Sequence, residues 1–297
     1  MSIALLLLPD FLLIAGGAAL KRLPGFGADL WAGVERLVYF VLFPALLFRS
    51  LATSPLALGD ATALAAVGLA FTMCGMVLAG LAQAVFRLPQ STFAACFQCG
   101  FRFNTYIALA VAHRVAGAPG LAAISLLVGV LVPVVNLAAV GMLARGRSGG
   151  VVQELLRNPL VLACAAGIGW KLTGAPLPEA LAHILELLSG AALPLGLLAV
   201  GAGLTLARSA LPVPALLWWN GVKLVALPAI ALALSAVAGL SPLERQIAVV
   251  MAAVPTAPSA YILATRMKGD GASAALLISS GTLLAAITLP LWLAWTG

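Results

Sequence analysis

Cys96-Phe97-Gln98-Cys99-Gly100-Phe101-Arg102-Phe103-Asn104-Thr105-Tyr106 is the stretch on which the reading of this chain turns. It lies inside an apolar run of membrane-spanning length, yet it holds Gln, Arg, Asn and Thr within a few positions. A charge at mid-bilayer costs roughly 2.5–3.5 kcal/mol on insertion scales, and unpaired polar groups add to that. Such a segment must face protein or line a wet cavity. A second irregular stretch, Val254-Pro255-Thr256-Ala257-Pro258-Ser259-Ala260-Tyr261, stands in the other half of the chain. Paired interruptions of this kind in two halves point to a transporter's binding site.

The surrounding composition fits that setting. Of 297 residues, 63% are hydrophobic and 8% charged, where a soluble domain carries about a quarter charged residues. The chain is therefore an all-α polytopic membrane protein, and the alternating ten-residue strands of a membrane barrel are absent from the sequence. The first twenty residues lack a basic start and read as a first span rather than a cleaved signal. Net charge is +7, but the basic residues fall singly at span ends, so topology and not nucleic acid explains them. Cys74, Cys96, Cys99 and Cys164 all sit in apolar runs. No second Cys or His pair completes a metal site around the CxxC, so no metal and no cofactor is expected.

Apolar runs of about 17–25 residues give ten spans: 2–20, 34–51, 61–86, 92–114 and 120–143, then 158–172, 180–206, 213–238, 243–267 and 272–295. A first repeat of five spans (1–143), a polar cytoplasmic linker (144–157) and a second repeat (158–297) follow. Pro9 and Pro159, Gly17 and Gly167, Lys21 and Lys171, and Pro44 and Pro194 each stand 150 positions apart. Tyr106-Ile107 matches Tyr261-Ile262 at an offset of 155, so the register drifts but keeps its order. Five spans per repeat is an odd number, which turns the second half upside down relative to the first.

Placing Lys21, Arg22, Arg36, Arg87, Arg145, Arg147, Arg157, Arg208, Arg266 and Lys268 on the cytoplasmic side leaves Arg49, Arg114, Lys171 and Arg245 outside. Both termini are thus expected on the non-cytoplasmic face.

Among intramembrane polar residues, Asn104 suits a carboxylate, a carbonyl or a freed backbone group; the alternative is helix–helix glue worth about 1 kcal/mol. Gly100, Thr105 and Tyr106 beside it suggest an unwound strip. Arg102 attracts an anion, pairs structurally or anchors at the interface. Pro255 and Pro258 remove two backbone donors and expose carbonyls near Met251 to Val254. With Thr256 and Ser259 alongside, they argue for a full break rather than a kink, with Tyr261 just after it. Two half-helix N-termini at the crossing would favour an anion. Asn136 and Lys223 are further candidates for the site, Lys223 either pairing, titrating or snorkelling. His113, at the end of its span, faces the interface. Asp10 and Glu186 are read as the only carboxylates able to sit within spans, which leaves the chain poorly equipped for classical cation coupling. No Walker sequence, HExxH or hydrolase constellation is present, so no enzyme activity is expected.

Phe101-Arg102-Phe103-Asn104-Thr105-Tyr106-Ile107-Ala108-Leu109-Ala110 and Pro255-Thr256-Ala257-Pro258-Ser259-Ala260-Tyr261-Ile262-Leu263-Ala264 resemble the fourth- and ninth-span motifs of bacterial members of the auxin efflux carrier family. Arg157-Asn158-Pro159-Leu160 and the Lys223-to-Pro228 spacing are similar to features of that family too. The resemblance implies a ten-span inverted-repeat fold like that of bile-acid/sodium symporters. Spans one, two, six and seven would form a dimerising scaffold, and spans three to five and eight to ten a mobile transport domain. It also implies a secondary carrier of small organic anions, mostly carboxylates, in the bacterial inner membrane, working by an elevator-like motion. A cation-coupled carrier of the same fold and a non-transporting sensor are the alternatives. One departure stands out: the family's plant members have a proline at both breaks, whereas the fourth span here has none at its break.

Overall fold

The computed structural model describes residues 3–53, 58–143, 158–204 and 209–296. The expected linker 144–157, with Arg145, Arg147 and Arg157, lies outside the described residues, as does Arg208. Among the described residues there is no strand. The described residues form eleven helices in order: α1 Ile3–Leu20, α2 Ala28–Ala52, α3 Leu58–Phe86, α4 Gln90–Phe97, α5 Thr105–Leu143, α6 Pro159–Thr173, α7 Glu179–Gly203, α8 Val213–Val237, α9 Pro242–Ala253, α10 Ser259–Arg266 and α11 Gly271–Thr296. Among the described residues, six stretches are long and apolar enough to cross a membrane: Ala28–Ala52, Ala61–Phe86, Gln90–Leu143, Glu179–Gly203, Val213–Val237 and Gly271–Thr296. Leu7–Leu20 and Pro159–Thr173 are shorter apolar helices.

Local chemistry explains the helix ends. Asn158 caps α6, its side chain accepting from the backbone N–H groups of Leu160 and Val161, with Pro159 in the first turn. Gly174 closes that helix in the left-handed region, φ 68°. Ser241 and Glu244 form a reciprocal capping box at the start of α9. Asp270 opens α11 by accepting from the backbone and hydroxyl of Ser273, and it takes a third bond from Thr92. Burial works against its charged form, but these hydrogen bonds and one from the Ala272 backbone hold the carboxyl below its ordinary pKa.

Three irregularities lie inside helices. A π turn occupies Val38–Leu42 in α2 and another Val222–Ala226 in α8. Each ends just before a proline, Pro44 and Pro228, whose ring displaces a carbonyl of the preceding turn. Helix α5 kinks at Gly117, φ 56° and ψ −142°, two residues before Pro119.

Packing divides the helices into two groups. Helix α1 runs along α7, and α2 runs along α6 and α7. The other group surrounds α9, which packs on α8, α5, α11 and α3. Residues Ile247 to Val254 are all completely buried there. In lipid such contacts depend on close approach rather than on water exclusion. Gly17 lies against the backbone of Leu198 in α7, where a Cβ would collide with the Leu198 carbonyl. Gly167 lies in the same way against the Phe48 carbonyl in α2, at 2.8 Å from an added Cβ. Both glycines and both of their neighbours are related by the same offset of 150 residues.

Asp10 is buried and receives two bonds from Arg114 at 2.9 and 3.4 Å, joining α1 to α5. Glu186 pairs at the surface with Arg49 at 3.6 Å. These two acids are not the only carboxylates in the helical segments. Glu35 lies inside α2, as it does inside the expected span 34–51, one residue from that span's start. Glu244 is buried as well, spent on the α9 cap.

Candidate functional site

The two irregular sequence stretches break their helices and meet. After α4 a single 3-10 turn, Gln98–Gly100, leads into non-helical backbone, and helix resumes only at Thr105. After α9 the backbone leaves the helix at Val254, with φ −64° and ψ 144°, the extended conformation that a following proline imposes. Helix resumes at Ser259. The Asn104 backbone N–H donates to the Pro255 carbonyl at 2.7 Å. The Thr256 hydroxyl donates to the Cys99 carbonyl at 2.7 Å, and the Gln98 amide to the Ala260 carbonyl at 3.1 Å. Each break thus satisfies backbone groups of the other, which is what apolar surroundings require.

Asn104 caps the helix that follows it. Its Oδ1 accepts from the N–H groups of Tyr106 and Ile107 at 3.0 and 3.3 Å. Its Nδ2 is buried and has no hydrogen-bond partner among the described residues, in a residue only 1% exposed. A buried amide with unspent donors costs about 1–3 kcal/mol, and this one stands at a crossing of two broken helices. Thr105 is buried beside it.

Lys223 serves the ninth break from below. It sits in the π turn of α8, is 2% exposed, and its Nζ donates to the Ala252 carbonyl at 2.6 Å. Ala252 belongs to the last turn of α9, whose carbonyls lose their usual donors to the break, and the ammonium also matches the negative helix end. The expected exposed carbonyls near Met251 to Val254 therefore meet a lysine from another helix.

The remaining candidates are dispersed. Arg102 is spent on Gln98 Oε1 at 3.0 Å and Asn136 Oδ1 at 2.7 Å, so these two polar residues hold one another. Gly100 is a packing position: a Cβ there would lie 2.7 Å from the Ala79 Cβ and 3.2 Å from the Trp219 ring. Tyr106 stacks on Phe43 of α2, with ring centroids 4.5 Å apart and planes at 10°. Ser259 is exposed. Pro258 and Tyr261 line a cavity of about 390 Å³ between the two helix groups, together with Lys21 and Glu35. Glu35 escaped notice in the sequence because it stands beside Arg36 at a span edge, where charges are ordinary; the signal that could have found it is that it follows the apolar run 30–34 inside the span. Asn220, which bonds the Ser280 hydroxyl at 3.0 Å, also lies near the ninth break, across Gly281 from Pro255.

An apolar helical chain with two interlocked helix breaks is the framework of a membrane carrier, and the family comparison agrees. The family model described as membrane transport protein matches residues 144–293, half of the chain, and the chain belongs to that family. This is the membrane transport domain of the auxin efflux carrier family, as the motifs in both breaks imply. A search of curated proteins finds no match.

Proposed function

We propose that the protein is a secondary carrier that moves a small, carboxylate-bearing organic anion across the bacterial inner membrane. The observation that carries this reading is the crossing itself, where Asn104 brings an unpartnered amide donor to the junction of two helix breaks. The N-terminal end of α10 and the one that follows Asn104 add partial positive charge. Asn104, Thr105, Thr256 and the adjacent backbone are the proposed anion contacts. Lys223, Arg102, Asn136 and Gly100 hold the frame, while Tyr106, Ser259 and Tyr261 flank the route to it.

Ten spans in two inverted repeats fit the helices. Gln90–Leu143 is 54 residues, about 80 Å if straight at 1.5 Å per residue, against a hydrocarbon thickness of about 30 Å. It therefore serves as two spans meeting near Gly117. α9 and α10 together make one broken span, and α1 and α6 complete the count. The matched Gly17 and Gly167 contacts support the repeat, with 1–143 and 158–297 as its halves. Helices α1, α2, α6 and α7 would form the scaffold and the dimer contact. Helices α3 to α5 and α8 to α11 would move as a unit in an elevator-type cycle. The charge bias puts both termini outside, with the end bearing Lys21 and Glu35 toward the cytoplasm.

The test is ligand-linked stabilisation of the purified protein by a panel of mono- and dicarboxylates. At least one acid is expected to raise the melting temperature of the natural protein and to leave Asn104→Ala unmoved. Uptake in proteoliposomes that survives Asn104→Ala with unchanged affinity overturns the site.

A further inference from the structure

The cavity that reaches the ninth break carries an acid for which the anion reading has no use. Glu35 lines it from α2, and Lys21 lines it from the end of α1. The Glu35 Oε1 lies 3.9 Å from the point where a Cβ on Gly203 would stand, and the Pro258 ring lies 3.6 Å from the same point. Gly203 thus leaves open a position that both the carboxylate and the start of α10 border.

That position is the one an incoming carboxylate would favour. It adjoins the positive end of α10 and a lysine, at the mouth of the route to the crossing. Two carboxylates cannot both stay ionised at close quarters away from bulk water; one of them takes a proton.

Resting on the anion-carrier reading, we propose that Glu35 is a proton-operated charge gate on the anion's approach to the ninth break. Ionised, it occupies the favourable field at the ninth break and repels the organic anion. Protonated from the solution that fills the cavity, it leaves Lys21 and the end of α10 to the anion, so binding of the anion is linked to uptake of one proton at this mouth.

The other groups that bear on it are few. Lys21 is close enough to act on Glu35 electrostatically, and Tyr106 of α5 feels its charge. Tyr261 of α10 lines the same cavity, and Tyr39 stands one turn further along α2. Asp29 and Arg36 share its helix but are exposed. Helices α7 and α11 add only Ala202, Gly203, Ala275 and Ile278 to the wall. The carboxylate is thus the one acid among the residues lining the cavity.

The test uses two arms on the full-length protein in nanodiscs. In the first, Ala32→Cys, on the exposed cavity wall one turn before Glu35, is placed in a Cys74→Ser background; the other cysteines are buried. Its labelling by a sulfonate-bearing and by a trimethylammonium-bearing methanethiosulfonate is compared at about pH 4.5 and about pH 8, a range that brackets a shifted carboxyl. The sulfonate-to-ammonium rate ratio cancels the thiol's own ionisation. It is expected to rise about tenfold at the lower pH with Glu35 present, as one charge a few ångströms away is removed. With Glu35→Gln it is expected to hold the high value throughout. An equal ratio at both pH values with Glu35 in place, or an unchanged pH response in Glu35→Gln, overturns the proposal. In the second arm, malonate and indole-3-acetate, with affinities referred to the ionised fraction of each acid at each pH, are expected to bind about tenfold more tightly at the lower pH, and Glu35→Gln to lose that dependence while keeping tight binding. Glu35→Gln that binds neither acid at either pH, while the natural protein binds, also overturns it. A labelling ratio that behaves as expected while neither acid binds the natural protein keeps the charged gate and removes the carboxylate reading instead.

Discussion

The fourth and ninth spans reach the same discontinuity by different chemistry. In the ninth, Pro255 and Pro258 remove donors within the chain and force Val254 into an extended conformation, so the break is written into the local sequence. In the fourth there is no proline at the break. There the helix stops because Gln98, Cys99 and Asn104 place backbone and side-chain groups onto the other break, and because Asn104 caps the helix that resumes. One break is imposed and the other is held. The held break depends on its partner, and a change at the crossing should therefore reach both.

Removing Lys223 is the strongest way to disturb this pairing. Lys223→Met keeps most of the volume but strips the Ala252 carbonyl of its donor, a loss of about 1–3 kcal/mol. The variant is expected to melt at lower temperature in detergent and to lose uptake. Uptake at the natural rate would separate the lysine from the ninth break. A step down in effect, Asn104→Ala removes the cap of the held break, about 1 kcal/mol, along with the free amide. Asn104→Ser restores a capping oxygen without the amide, so thermal stability should recover and anion binding should not. Recovery of both would reduce Asn104 to a cap. Smallest of the three, Pro255→Ala is expected to change the melting temperature by the equivalent of about 0.5 kcal/mol or less, within the range of substitutions that leave buried contacts intact. The Asn104 bond to its carbonyl, the Lys223 bond and Pro258 all remain in that variant. A large loss would show that Pro255 itself, rather than Lys223 and the contacts from the fourth break, keeps the ninth break open.

The ninth break was legible in the sequence because proline acts on its own neighbours. The fourth showed only as misplaced polarity at Gln98, Arg102 and Asn104. Whether those side chains would serve a ligand, each other or the backbone depended on residues far along the chain. Arg102 found Asn136, thirty-four positions away, and Thr256 found Cys99 across 157. Glu35 was missed for a related reason. A charge at the end of an apolar run is unremarkable until the cavity beside it is seen.

Composition and spacing by themselves determined that this chain is a helical membrane protein and that two irregular segments, one in each half, interrupt it. Those follow from interactions that act within a few residues: apolar length, caps and proline. The closing of one break on the other, the lysine beneath it and the acid at its mouth were decided only by the tertiary structure. Each needs groups from separate helices within hydrogen-bonding or van der Waals reach, and in a chain so uniformly apolar the sequence does not say which faces meet.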